Sequence, residues 1–318
     1  MIAVLLLAAA ALPPGPLDFE ARDMRIEPKE RRVLLDGDVH LVRSDMTVTG
    51  EHAVAEYAQP KPAAAKKKRA AQAEATLGGQ EVERFTVDGR VHVERGTRTA
   101  DGEHGVMDMP HQLLTLTGTP QSPPVLHDGN EMLSGERILM HLDSEDVDVT
   151  RPRLVLKRSL PSEKQKSVVP VRVEAQRMVL HKEARLANFT EQVVVHRGDT
   201  TVKSPRMDAR YDQDGQLIRL EMRGGVDMVD GDRRATGESA DYDAKERTLV
   251  LLGDPKLYDK GDVLAGDRID MALDSKEVHV EKAKARLHPD THKQEEPALP
   301  ATGGARRAEH PDEEAPRQ

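Results

Sequence analysis

The sequence predicts an all-β protein of stacked antiparallel strands arranged in two tandem modules. Three observations predict it. Apolar and polar residues alternate at period two over short runs such as Val39–Leu41 and Val91–Val93, the pattern of half-buried strands. Gly and Asp/Ser clusters interrupt those runs. One unit, GDVHLVRSDMTVTGEHAVAEY at Gly37–Tyr57, is then rewritten along the chain. GRVHVERGTRTADGEHGVMDM starts at Gly89, EQVVVHRGDTTVKSPRMDARY at Glu191 and GGVDMVDGDRRATGESADYD at Gly224. Such repetition marks stacked supersecondary units. The unit reads as a strand, a charged turn, a short second strand, then Gly-Glu and a third strand.

Composition agrees. Among 318 residues, 37% are hydrophobic, 32% charged and only 2% aromatic, with no Trp. A core must therefore come from Val, Leu, Ile and Met set singly between polar neighbours, which suits thin sheets with one apolar face. A net charge of −9, without Lys/Arg clusters beside aromatic platforms in the repeats, argues against a nucleic-acid partner. With no cysteine, disulfides, thiolate metal sites and a Cys nucleophile are excluded.

In chain order, residues 1–17 hold the unbroken apolar run Ile2–Leu12 followed by Pro and Gly. It is too short to span a bilayer and reads as a signal peptide with Ala9-Ala10-Ala11 near the cleavage site, although no Lys or Arg precedes it. The first module is expected over 18–159. It is interrupted at 58–80 by AQPKPAAAKKKRAAQAEATLGGQ, a basic insertion without an apolar stripe and hence a solvated loop. A Pro-bracketed linker follows at 160–170, the second module at 171–287, and an aperiodic tail rich in Pro, Glu and Ala at 288–318. Thr47 and Tyr57 match Thr201 and Tyr211 at an offset of 154, Val91 and Gly118 match Val226 and Gly253 at 135, and Gly135 matches Gly266 at 131. The first drop falls at the basic insertion and the second at the Pro-rich turn Thr119–Pro124. Two homologous modules account for both.

Candidate chemistry is thin. His52 and His104 follow Gly-Glu at equivalent positions, but Ser239 replaces them in the fourth repeat, so they read as surface strand residues. Asp36/Asp38 and Asp230/Asp232 form D-G-D sequences that turn chemistry explains without a ligand. No nucleophile elbow, phosphate-binding loop or dinucleotide fingerprint occurs. The expectation is no enzyme, no cofactor and no metal.

The repeats resemble the OstA/LptA family of periplasmic lipopolysaccharide-transport proteins. The resemblance is carried by the G-x-V strands (Gly37-Asp38-Val39, Gly89-Arg90-Val91), the A-x-Y-D strands (Ala209–Asp212, Ala240–Asp243) and the Leu-rich strands ending in Gly (Leu114–Gly118, Thr248–Gly253). It runs from about Phe19 to Leu287 without the insertion. It implies a twisted, open β-jellyroll in each of two OstA-like modules, a groove for the acyl chains of lipopolysaccharide, and joining end to end through terminal strands. Expected partners are lipopolysaccharide, the inner- and outer-membrane transport components through edge-strand pairing, and a second copy head to tail. The expected place is the periplasm. The residues agree independently: Val39/Leu41, Val91/Val93, Ile138/Met140, Val193/Val195, Val226/Met228 and Ile269/Met271 each put two aliphatic side chains on one strand face. These twelve are the groove-lining candidates, shared between core packing and lipid contact. The alternative from another class is a structural β-solenoid that binds polysaccharide or a protein partner without lipid.

The basic run Lys61–Arg69 is the one stretch suited to anionic headgroups. As a solvated insertion, it is expected to be dispensable. Deleting Pro60–Gln80 should leave lipid binding at low salt unchanged in a vesicle-competition assay.

Overall fold

The structure, a computed structural model, describes residues 17–58, 76–77, 80–129, 131–156, 169–273, 275 and 277–288. Most of the signal segment, the basic insertion, the linker and the tail expected above therefore lie outside the described residues. Strand content dominates the rest, and every strand pairing is antiparallel.

The alternating runs become strands longer than the sequence pattern suggests, because bends replace several expected breaks. Strands β1 (Asp18–Glu20) and β2 (Asp23–Glu27) both pair with β3 (Arg32–Arg43), one on each half of it. A meander follows through β4 (Met46–Tyr57), the two-residue β5 (Thr76–Leu77), β6 (Gln80–Arg95) and β7 (Arg98–Asp108). Gly50-Glu51 lies inside β4, so the three strands expected over Gly37–Tyr57 are two. Asp36 and Asp38 likewise sit within β3, whereas Asp230 and Asp232 flank a true hairpin turn at Gly231.

At four long strands the chain bends through two consecutive residues with positive φ, where the register also shifts. They are Gly37-Asp38 (75° and 51°), Gly89-Arg90 (79° and 47°), Glu191-Gln192 (62° and 54°) and Gly224-Gly225 (88° and 100°). Such bulges bend a strand and raise its twist, and glycine is the residue that adopts them without strain. Each long strand thereby contributes one half to each of two facing leaves, and the aliphatic core fills the space between them.

Past β7 the leaves separate into shorter strands: β8 (Leu113–Thr117), β9 (Val125–Asp128), β10 (Glu131–Ser134), β11 (Arg137–His141), β12 (Val147–Thr150) and β13 (Arg153–Leu156). The first leaf continues β7–β8–β11–β12 and the second β7–β9–β10–β13. Strands β14 (Val171–Glu174) and β15 (Arg177–His181) take these leaves onward, by Leu156↔Val171 and Val147↔Leu180, to the two halves of β16 (Leu186–Arg197). The region expected as a linker thus lies between two directly paired strands.

The plan then repeats. Long strands β17 (Thr200–Tyr211), β18 (Leu217–Asp230) and β19 (Arg233–Asp243) precede the short strands β20 (Thr248–Leu252), β21 (Lys256–Asp259), β22 (Asp262–Ala265), β23 (Arg268–Ala272), β24 (Val278–Glu281) and β25 (Lys284–Arg286). Strands β14–β16 start near the residues 154 beyond β1–β3, and β21–β24 stand 131 beyond β9–β12. The repetition reaches individual atoms. A Cβ on Gly135 would fall 2.5 Å from Val149 Cγ1 and 2.6 Å from the Thr150 carbonyl oxygen; on Gly266 it would fall 2.5 Å from Val280 Cγ1 and 2.4 Å from the Glu281 oxygen.

That contact involves backbone, which cannot turn aside. Gly135→Ala is expected to destabilise the protein by about 1–3 kcal/mol, read as a lower urea midpoint at unchanged slope.

Candidate functional site

Cross-strand register turns the alternating residues into continuous rows. In the second leaf one row runs Leu41, Val48, Val93, Ala100, Leu126, Leu133, Leu154, Val173 and on through Val195, Val202, Met228, Ala235, Leu257 and Leu264. Facing rows in the first leaf carry Ile138, Met140, Ile269 and Met271. Val39, Leu41, Val91, Val93, Ile138, Met140, Val193, Val226 and Ile269 are buried, while Val195, Met228 and Met271 are only half-buried. Six of the nine buried candidates belong to the first module, and all three half-buried ones belong to the second.

The difference arises from what covers each residue, since the repeat makes the side chains nearly the same. Val147 is 1% exposed and its counterpart Val278 is 41% exposed; Leu180 is 2% exposed and its counterpart Ile26 is 54% exposed. Val147 and Leu180 oppose each other where the modules join. Val278 and Ile26 occupy the two ends of the described stack, where no further strand follows among the described residues. Among the described residues the aliphatic interior is therefore covered at the junction and exposed at both ends of the stack.

Cavities follow this gradient. A space of ≈ 50 Å³ lies between the leaves of the first module, against Met46, Val93, Leu114, Met140 and Val147. The second module holds one of ≈ 120 Å³ between Val202, Met222, Val226, Met228, Tyr242 and Leu249, and one of ≈ 200 Å³ floored by Met228, Ala235, Leu257 and Met271. Asp230, Arg233 and Glu277 rim the larger one.

Between the free edges of the leaves the inward-facing row turns polar: Arg43, Met46, Arg95, Arg98, Asp128 and Glu131 succeed one another in register. Arg98 Nε donates to Asp128 at 2.8 Å, and across the gap Lys182 Nζ pairs with Glu145 at 3.2 Å. Burial pulls the Lys182 ammonium below its usual value despite Glu145. Tyr211, fully enclosed and beside Glu131, is raised well above the usual phenol. This mouth is closed by charge at the module junction, and the sequence reading missed it. Parity would have found it, because Arg43 continues the inward series Val39, Leu41.

Elsewhere the ionisable groups of the described residues pair across neighbouring strands. His52 pairs with Asp36, and His104 Nδ1 lies 2.6 Å from Asp88. Because His52 also opposes Asp88 in register, Asp36, His52, Asp88 and His104 form one exposed cross-strand ladder. Among the described residues no set of three His, Asp or Glu side chains is placed to hold a metal ion. His92 Nδ1 meets Asp101 at 2.6 Å and its Nε2 meets Glu94 at 3.0 Å, and the hydrogen bond to Asp101 does most to raise its pKa.

A family model described as "LptA/(LptD N-terminal domain) LPS transport protein" matches residues 18–146 and 172–277. An uncharacterized protein of Rhizobium meliloti (strain 1021) is 25% identical over 127 residues, covering 37% of this chain and 68% of that one. The LPS-assembly protein LptD of Pseudomonas syringae pv. syringae (strain B728a) is 33% identical over 95 residues, covering 27% of this chain and only 10% of that protein's length. Among solved structures, LptH of Pseudomonas aeruginosa, titled the LptA homologous periplasmic component of the lipopolysaccharide transport device, matches at 18% identity. That match has a TM-score of 0.36 and covers 38% of this chain and 96% of that one.

The raised His92 pKa contributes stability that is complete below the unfolded value near 6.5 and is lost as pH rises through the folded value. His92→Gln should therefore lower the thermal midpoint more at pH 5 than at pH 9.

Proposed function

The chain belongs to the LptA/LptD N-terminal family of LPS transport proteins, and from that premise we propose that it is a non-enzymatic carrier or bridge. In this reading it is exported to the periplasm and holds the acyl chains of lipopolysaccharide against its aliphatic rows as the lipid passes between inner and outer membrane. The observation that carries the proposal is the uncovered end of the second module, where Met228, Met271 and Leu257 floor an apolar cavity open to solvent. These positions, with the rest of the twelve, are the proposed lining. The buried ones act as the floor that keeps the leaves apart.

Magnitudes favour this design. Burial is worth ~0.8 kcal/mol per methylene, so roughly ten methylenes contribute ~8 kcal/mol before entropy costs. That holds a lipid in water, and a cleft left half-open still releases it. The acidic balance of the chain gives lipid phosphates no general attraction, so the sugar-phosphate headgroup stays outside the aliphatic rows.

The two free ends support edge-strand pairing. β12 and β13 meet β15 and β14 inside the chain. Their counterparts β24 and β25 at one end, and β2 and β1 at the other, are equivalent surfaces that no described residue covers in that way. Inner- and outer-membrane transport components, or a second copy head to tail, would rebuild the internal junction there. The division into modules at 18–159 and 171–287 is proposed on the same strand correspondence.

Photo-crosslinkers at Met271, Asp270 and Val278 in a lipopolysaccharide-producing host test both parts. Met271 should give lipopolysaccharide adducts, outward-facing Asp270 none, and Val278 adducts to protein. Protein adducts alone from Met271 would sink the carrier reading. A silent Val278 would sink the edge-pairing reading.

A further inference from the structure

Buried polar groups keep partners, because a donor enclosed without an acceptor costs about 1–3 kcal/mol. Arg43 departs from this. It is 9% exposed, its Nε has no hydrogen-bond partner among the described residues, and its Nη1 reaches the Met109 thioether at 3.6 Å. Burial alone acts on its guanidinium, lowering its pKa, and no carboxylate offsets that effect. The neighbouring cations of the same row differ: Arg95 has Asp45 at 2.9 Å and Arg98 has Asp128 at 2.8 Å.

A second orphan lies on the opposite leaf of the same module. The Tyr57 hydroxyl is buried without a hydrogen-bond partner among the described residues, at the end of β4. Met109 belongs to the same edge, bonding through its N–H to the Glu83 carbonyl on β6. Arg43, reaching Met109, therefore spans the mouth of the first module from one leaf to the other. Its direct cross-strand neighbour Met46, and Arg95 beyond it, line the ≈ 50 Å³ apolar cavity between the leaves.

We propose that Arg43 and Tyr57 form an anion site at the mouth of the first module, which takes the anionic head of an alkyl amphiphile whose chain enters beside Met46. Two donors on opposite leaves suit one phosphate or carboxylate group, which accepts several hydrogen bonds at once. The adjoining cavity admits roughly three or four water-sized groups, enough for the carbons next to the head. This refines the carrier reading and rests on it: the second module supplies an open aliphatic cleft, and the first supplies a charge-selective contact. It also accounts for an inward cation that, unlike Arg95 and Arg98 in the same row, has no carboxylate acting on it.

Calorimetric titration of the full chain with dodecyl phosphate, dodecanol and inorganic phosphate tests it. The wild type should bind dodecyl phosphate about 10- to 100-fold more tightly than dodecanol, the factor for one charge-assisted hydrogen-bonded contact. Arg43→Met should lose that preference, keep its dodecanol affinity and melt no lower than wild type, since it removes an unpaired buried charge. Tyr57→Phe should lose part of the preference. An Arg43→Met protein that still prefers the phosphate overturns the proposal, as does inorganic phosphate binding as tightly as dodecyl phosphate. Equal binding of the two alkyl ligands by wild type overturns the anion site but spares the lipid carrier. No binding of either removes both.

Discussion

Everything in this architecture depends on one backbone manoeuvre, the passage of a single strand from one leaf to the other through two residues with positive φ. A sheet with one apolar face must cover it. Here the same strand, bent at its middle, covers itself. The cost falls on four dipeptides, and three of the four use glycine in the first place. Glu191-Gln192 is the exception, so β16 adopts a strained conformation with residues that do not favour it. That bend lies where the second module begins, and there β14 and β15 already hold both halves of the strand.

Most of this was legible in the sequence because parity and repetition are properties of a chain alone. The alternation at Val39–Leu41 or Ile138–Met140 identifies strand faces without reference to anything distant. The offsets identify counterparts to the residue, as the matched surroundings of Gly135 and Gly266 demonstrate. The strand count over Gly37–Tyr57 was misjudged for a definite reason: Gly-Asp and Gly-Glu are written alike for a turn and for a bend, and only pairing on both sides distinguishes them. Exposure was illegible for a different reason. Met24 and Met178 are the same residue in the same repeat position, yet one is exposed and the other wholly buried. Their difference lies in the neighbouring strand and not in the local sequence.

The same logic governs the site. Aliphatic residues that could touch a lipid and those that only hold the leaves together have one pattern and one composition. Position along the stack separates them. Polar groups at the mouth follow the reverse rule, since each must find a specific partner. Arg98 and Asp128 do so within the second leaf and Glu145 and Lys182 within the first, and the two pairs act on each other electrostatically across the mouth. Thin sheets with few aromatics gain little from any one side chain, so such ties matter more here than in a thick core.

Because strands lie across the stack, the axis along which a bridge of the proposed kind would extend is the hydrogen-bonding direction. The described ends of the chain, near Leu17 and His288, both leave from the second-leaf edge of the mouth. Tension applied through them would load the outermost hydrogen bonds one after another, opening the stack as a zipper instead of shearing whole strands at once. A ribbon built this way is weak under tension along its own axis. Any span it makes has to be slack, or held at its sides, for the column of strands to survive the relative motion of two membranes.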